Sequence, residues 1–387
     1  MPDETEKAKR PPHDEPDLGR YDEDRLGGDE EDSTDEEMPR VHLTRERILL
    51  LALFVVSAIA FLYFVLPRLA GLGKTWDRIQ EGDPWWLAAA FVLECLSFGG
   101  YIVLFRAVFT RGETRIEWRE SYEITMAGLA ATRLFATAGA GGVVLTAWAL
   151  RRSGMSRRIV ACRMIAFLVL LYAVYMLTLV IDGLGLRLRV FEGSAPFVLT
   201  VVPALLAAVV IVLFLVVALV PEDFERRLTD WSAGGRRWRV RRWARTLASV
   251  PASAATGVRT ALRLVGSRDP GVLGAVAWWY FDIGVLWACF HAFGDAPPFA
   301  VIVMGYFIGQ LGNTLPLPGG IGGVDGGLIG AFIAFGVDSG LAVVAVLAYR
   351  AFSFWLPTIP GTIAYLQLRK TVKVWSTEEH DQAPARA

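Results

Sequence analysis

The chain has 387 residues, 54% of them hydrophobic and 20% charged, with a mean hydropathy of +0.41. A soluble domain is nearer to roughly 45–50% apolar and 25% charged. The 39 basic and 39 acidic residues cancel only in sum, because residues 1–40 hold 16 acidic and 6 basic ones and leave 33 basic and 23 acidic for the rest. A soluble enzyme core is excluded, and the reading is a polytopic membrane protein of the all-α class.

Residues 1–44 read as a disordered, acidic, cytoplasmic tail, rich in Asp, Glu, Pro and Gly and without material for a core. Its acidic start and missing apolar run do not fit a signal peptide. It is either simply solvated or an arm that folds back on the chain's own basic loop. Residues 45–370 form the membrane domain, and 371–387 a short cytoplasmic tail.

A hydrocarbon layer about 30 Å thick needs roughly 20 apolar residues per helix. Six segments meet this. Ile48–Leu66 and Pro196–Val220 carry no charge. Pro84–Phe105 carries Glu94, Ile159–Ile181 carries Arg163 near its start, and Gly271–Phe293 carries Asp282. Leu341–Leu368 carries Arg350 together with Pro357 and Pro360.

Two further segments are apolar but poorly built for crossing. Trp118–Arg152 contains Glu120, Glu123 and Arg133 and is interrupted at Ala138–Gly142. Phe299–Gly336 is interrupted at Leu315–Gly323 by two prolines and four glycines. The arms after the breaks, Val143–Arg152 and Val324–Gly336, would make only about 15–20 Å of helix. Each segment is expected to be a re-entrant helical hairpin.

Arginine and lysine placement orients the domain. Arg40, Arg45 and Arg47 put the N-terminus in the cytoplasm. Alternation then brings Arg106–Arg119, Arg151–Arg158, the 221–270 loop and Arg369–Lys373 to the same side. That loop has 11 arginines and 5 acidic residues, and its Trp231, Trp238 and Trp243 suit an interfacial helix on anionic headgroups. Both termini are expected in the cytoplasm, in the plasma or inner membrane. Counting each hairpin as two full crossings gives the same ends, so charge leaves that choice open.

The order span, hairpin, span occurs twice with opposite orientation, so an inverted repeat is expected. Glu94 corresponds to Asp282, Gly141-Gly142 to Gly322-Gly323, and Arg163 to Arg350.

Ionisable side chains at membrane depth cost roughly 2.5–3.5 kcal/mol each even on the lenient insertion scale. They persist where they pair or face a cavity. Glu94, Asp282 and Asp325 balance Arg133, Arg163 and Arg350, either as internal salt bridges or as a midplane site whose arginines match a phosphate. Helix ends inside a membrane expose amides suited to an anion. Gly319, Gly320, Gly322 and Gly323 would form such a turn, with Asp325 capping the second arm and Gln310 and Asn313 offering amide contacts. Gly326 and Gly330 serve helix packing equally well.

Cys95, Cys162 and Cys289 read as buried apolar residues, and His13, His42, His291 and His380 have no metal spacing, so no metal or cofactor is expected. Gly320-x-Gly322 is followed by Asp325 rather than a third glycine, no phosphate-loop lysine occurs, and no hydrolase or zinc-protease motif is present. Nucleic-acid binding is not expected.

The run Leu317–Asp325, LPGGIGGVD, followed by Ala348–Pro357, AYRAFSFWLP, resembles the flippase-like lysylphosphatidylglycerol synthase transmembrane-region family. Gly139–Gly142, Trp148 and Gly154-Met155-Ser156 fit its first half. In that family a Glu usually closes the glycine-rich break, so Asp325 keeps the charge and shortens the reach. Some members join this region to a soluble aminoacyl transferase. This chain stops about 17 residues after the last span, so neither that domain nor synthase activity is expected. The resemblance implies movement of a lipid or lipid-linked substrate. The alternatives are an intramembrane transferase acting on a lipid-linked donor, with Glu94, Asp282 or Asp325 as base, and a non-transporting accessory subunit.

Overall fold

A computed structural model of the chain describes residues 81–111, 116–134, 140–219, 254–314 and 320–382. The Ile48–Leu66 span, the acidic tail, Gly319 and the three loop tryptophans lie outside them. Among the described residues all regular structure is helical. The helices are α1 (Pro84–Phe109), α2 (Trp118–Leu134), α3 (Ala140–Arg152), α4 (Arg157–Arg187), α5 (Phe197–Ala218), α6 (Leu273–Phe293), α7 (Phe299–Gln310), α8 (Gly323–Ala334), α9 (Ser339–Arg350) and α10 (Leu356–Gln382). Residues 254–266 are helical as well.

Local chemistry sets several starts. Asp83 accepts the Trp85 amide at 2.9 Å while Pro84 occupies the first turn of α1. Ser156 caps α4, and Asp338 takes the Leu341 amide at 3.0 Å to open α9.

Among the described residues, five stretches are long and apolar enough to cross a membrane: α1, α4, α5, Pro270–Phe293 and Ser339–Trp375. α5 buries only Thr200, Ala204 and Ala207, a narrow stripe of small residues, and Thr200 and Ala204 lie against Gly183 of α4. A helix apolar on every other face belongs in lipid.

The last stretch departs from a single straight span. α9 ends at Arg350, a π-helical turn covers Ala351–Trp355, and α10 then runs on to Gln382. Pro357 and Pro360 have no amide hydrogen to continue the ladder, and the wide turn absorbs that interruption. Gly361 brings α10 onto α2, where a Cβ would lie 2.7 Å from the Met126 carbonyl.

Both interrupted segments fold as helix pairs. α2 packs on α3 at Gly142, whose Cβ would stand 2.5 Å from the Gly128 carbonyl. α7 and α8 have 12 residues each, about 18 Å of helix. They pack at Gly309, where a Cβ would meet Leu328 at 2.5 Å. α7 begins and α8 ends at the same end of the bundle, where Pro298, Phe335 and Val337 line one cavity.

α1 and α6 cross in backbone contact. A Cβ on Gly274 would sit 2.7 Å from the Leu104 amide, and one on Gly100 would sit 2.9 Å from the Gly274 carbonyl. Ser97 donates to the Trp278 carbonyl at 2.8 Å beside this crossing. The antiparallel pair brings Glu94 and Asp282, about 9 and 12 Å from the crossing glycines, to one level.

Candidate functional site

Glu94 is 1% exposed, Asp282 7% and Asp325 1%. Helix geometry places them at a common depth. Glu94 lies ten residues into α1, Asp282 eleven from the end of α6, Asp325 nine from the end of α8, and Arg350 eleven into α9. At 1.5 Å per residue all four stand about 13–17 Å from the same end, mid-depth in a hydrocarbon layer about 30 Å thick.

Asp282 is the centre of a hydrogen-bonded group. Its Oδ2 accepts from the Tyr349 hydroxyl at 3.0 Å and, in a very short contact, from the Tyr306 hydroxyl. The Glu94 and Asp282 carboxyl groups lie against one another. Arg133, in the last turn of α2, interacts electrostatically with both. Its guanidinium carbon is 5.8 Å from the Phe98 ring centroid. Three buried atoms here, Glu94 Oε2, Asp282 Oδ1 and Arg133 NH1, make no hydrogen bond among the described residues. Buried polar groups are nearly always paired; the two carboxyl groups face one another, and Arg133 NH1 is the group here that could take a polar ligand.

Arg350 and Asp325 form the neighbouring unit. Arg350 Nε is 2.7 Å from Asp325 Oδ1, an ion pair whose N–H is not aimed along the hydrogen-bond direction. Asp325 Oδ2 reaches back to accept the Gly322 amide at 2.7 Å, at the start of α8. Gly320 and Gly322 have φ of +66° and +84°, the left-handed region that glycine enters without strain. Gly323 is the first residue of α8. Asn313 Nδ2 donates to Gln310 Oε1 at 2.6 Å, and Asn313 lies over Gly320.

Arg163 stands elsewhere. It donates to the Phe109 carbonyl at 2.9 Å and the Arg111 carbonyl at 3.3 Å. That is about 22 Å along α1 from Glu94. There it satisfies carbonyls that the helix end leaves without intrahelical partners, and its charge complements the negative end of the dipole. Arg163 and Arg350, expected as counterparts, therefore sit in different surroundings.

Glu123 is also buried and also outside the group. It accepts from Thr371 of α10 at 2.6 Å and from Arg119 at 3.0 Å, which fastens α2 to α10. Sequence reasoning missed Tyr306, Tyr349 and Phe98. A tyrosine amid an apolar run needs a partner for its hydroxyl, and Tyr306 in AVIVMGYFIG carries that signal.

A separate cavity of about 760 Å³ opens at the bundle end where α6 and α8 finish and α7 and α9 begin. Glu81, Asp295 and Asp338 are among its lining residues, and none of the mid-depth charged residues lines it. Among the described residues no group of His, Cys, Asp and Glu could hold a metal ion.

The family described as the lysylphosphatidylglycerol synthase TM region matches residues 49–361. The chain belongs to this family. The matched stretch contains every member of the mid-depth group, from Glu94 to Arg350. A protein of Methanothermobacter thermautotrophicus described as a UPF0104 membrane protein is 24% identical over 319 residues, which cover 81% of this chain and 93% of the relative. Another of that organism with the same description is 33% identical over 101 residues, 26% of this chain and 29% of its own length. No solved structure matches. Membership of the family and the apolar helices make this a multi-pass membrane protein.

Proposed function

We propose that this transmembrane-region protein moves an amphiphilic lipid, or a lipid-linked substrate, across the plasma or inner membrane through the mid-depth charged site. The observation that carries the reading is Arg133. A guanidinium at the end of a broken helix, with a buried NH1 lacking a hydrogen-bond partner and two carboxyl groups opposite, is built to exchange those carboxyls for a phosphate. Arg350 and the turn at Gly320, Gly322 and Gly323 stand ready to take a second oxygen of the headgroup once Asp325 releases its arginine.

Several features support transport by alternating access. α7 and α8 are too short to span and share one end of the bundle, as a re-entrant hairpin would. The antiparallel α1 and α6, each contributing one carboxyl at the same level, suit two inverted halves meeting at the site. The distribution of basic segments favours both termini on the cytoplasmic side. Anionic headgroups at the 221–270 loop complete the set of lipid contacts.

The test is reconstitution in liposomes with fluorescent lipids of several headgroups, for the wild type and Arg350→Ala. Headgroup-selective movement that is lost in Arg350→Ala protein shown to be folded supports the reading. A well-folded protein that moves no lipid contradicts it and favours the transferase or accessory alternatives.

A further inference from the structure

The mid-depth group holds three carboxyl groups, Glu94, Asp282 and Asp325, and two guanidiniums, Arg133 and Arg350, among the described residues. Arginine stays charged at any ordinary pH. The other polar neighbours are neutral groups: Tyr306 on α7, Tyr349 on α9 with Ser353 beside it, Tyr101 beside Arg133 with Tyr172 next to it, and the thiols of Cys95 and Cys289 near the carboxyls. Three negative charges against two positive would leave a net charge buried in a low-dielectric layer, which is costly. Asp325 is occupied by Arg350 and the Gly322 amide. Glu94 and Asp282 lie against one another, and each keeps a buried oxygen without a donor among the described residues. Two carboxyl groups in contact accommodate this by sharing one proton.

Resting on the transport reading above, we propose that the Glu94–Asp282 pair is a proton-binding site that takes up one further proton for each anionic headgroup that binds. The charge balance is explicit. At rest, the pair with one proton carries −1 and Asp325 −1, which matches Arg133 and Arg350. A phosphodiester headgroup adds −1. A second proton on the pair returns the sum to zero and frees Arg133 for the phosphate. That proton enters with the headgroup from one aqueous face and leaves with it at the other, so the pair makes the step an electroneutral proton–anion symport. The two tyrosine hydroxyls on Asp282 Oδ2 hold its carboxyl in place while Oδ1 and Glu94 Oε2 exchange the proton.

Proton uptake on lipid binding tests this directly. The purified full chain in weakly buffered non-ionic micelles is mixed with short-chain phosphatidylglycerol, and the pH is followed with a dye. The wild type should take up about one proton per lipid bound, and phosphatidylcholine, with its own cationic group, about none. The double variant Glu94→Gln/Asp282→Asn, checked for folding by gel filtration, has no carboxyl group left in the pair and should reduce uptake at least about fivefold, whereas either single variant keeps one carboxylate and should still take up about one proton per lipid. If the double variant does not fold, the wild-type uptake with the two lipids decides. Phosphatidylglycerol binding with no uptake by the wild type, or unchanged uptake in the folded double variant, overturns the coupling and leaves the transport reading intact. Binding of neither lipid removes the transport reading itself. Equal uptake with glycerophosphoglycerol, the same phosphodiester without acyl chains, reassigns the site to a soluble anion and also overturns the proposal.

Discussion

Arg350→Ala removes the cation from a buried pair. Its side chain is 14% exposed and that of Asp325 1%, so the carboxylate left behind cannot reach water. Breaking such a pair from one side costs about 3–5 kcal/mol, because a buried charge remains uncompensated. Replacing both partners by groups of similar volume is far cheaper. In Asp325→Asn/Arg350→Met the amide oxygen still accepts the Gly322 amide and keeps the cap, and the methionine fills the arginine's space. The double variant should lie within about 1 kcal/mol of the wild type, and so at least about 2 kcal/mol above Arg350→Ala in stability. Unfolding of the full chain in mild micelles titrated with a denaturing detergent measures all three proteins. Equal destabilisation of single and double variants, or an Arg350→Ala cost below about 0.5 kcal/mol, would refute the reasoning. Function then separates binding from bracing. The double variant should recover its fold without recovering lipid movement, and recovery of both would reduce the pair to a structural brace.

Other perturbations follow from the same geometry. Gly274→Val must push α1 and α6 apart, since even a Cβ would sit 2.7 Å from the Leu104 amide. It should destabilise by about 1–3 kcal/mol in the same titration, whereas Gly326→Ala, with open space around it, should cost less than about 0.5 kcal/mol. Tyr306→Phe removes a donor to Asp282 and should cost about 1.5–3 kcal/mol, with a smaller loss of lipid movement than Arg133→Gln. Asp295→Cys, on the exposed connection before α7, and Ser339→Cys, at the exposed start of α9, should both react with an impermeant maleimide from the non-cytoplasmic face of intact cells. Labelling of only one from that face would mean that α7 and α8 together cross the membrane once.

Much of this arrangement was legible in the sequence because a bilayer imposes a strong, local rule. Twenty apolar residues read as a span wherever they occur, so the stretches around Glu94, Arg163, Pro203, Asp282 and Arg350 were recognisable one by one. Glycine and proline breaks marked the ends of α7 and α8 for a similar local reason. What the pattern did not hold was long-range pairing. Arg163 and Arg350 look alike as single charges in apolar runs, yet one satisfies the carbonyls at the end of α1 and the other pairs with Asp325, 25 positions earlier in the chain. Tyr306 and Tyr349 carry hydroxyls that apolar counting treats as core, and their role appears only once Asp282 lies between them. The continuation of α10 to Gln382, past the expected end of the span at Leu368, goes with its packing on α2 at Gly361 and the Thr371–Glu123 hydrogen bond, which no window of the sequence contains.

The most direct test of the central claim is the headgroup preference of Arg133→Gln. Fluorescent phosphatidylglycerol and phosphatidylcholine, reconstituted separately with the full chain, report translocation as dye that becomes accessible to an impermeant quencher. The account predicts a wild-type rate for the anionic lipid at least about tenfold above that for the zwitterionic one, the equivalent of about 1.4 kcal/mol of selectivity, and a ratio near one in Arg133→Gln. A wild type that moves both lipids at the same rate, or a preference that survives loss of the guanidinium, would contradict it.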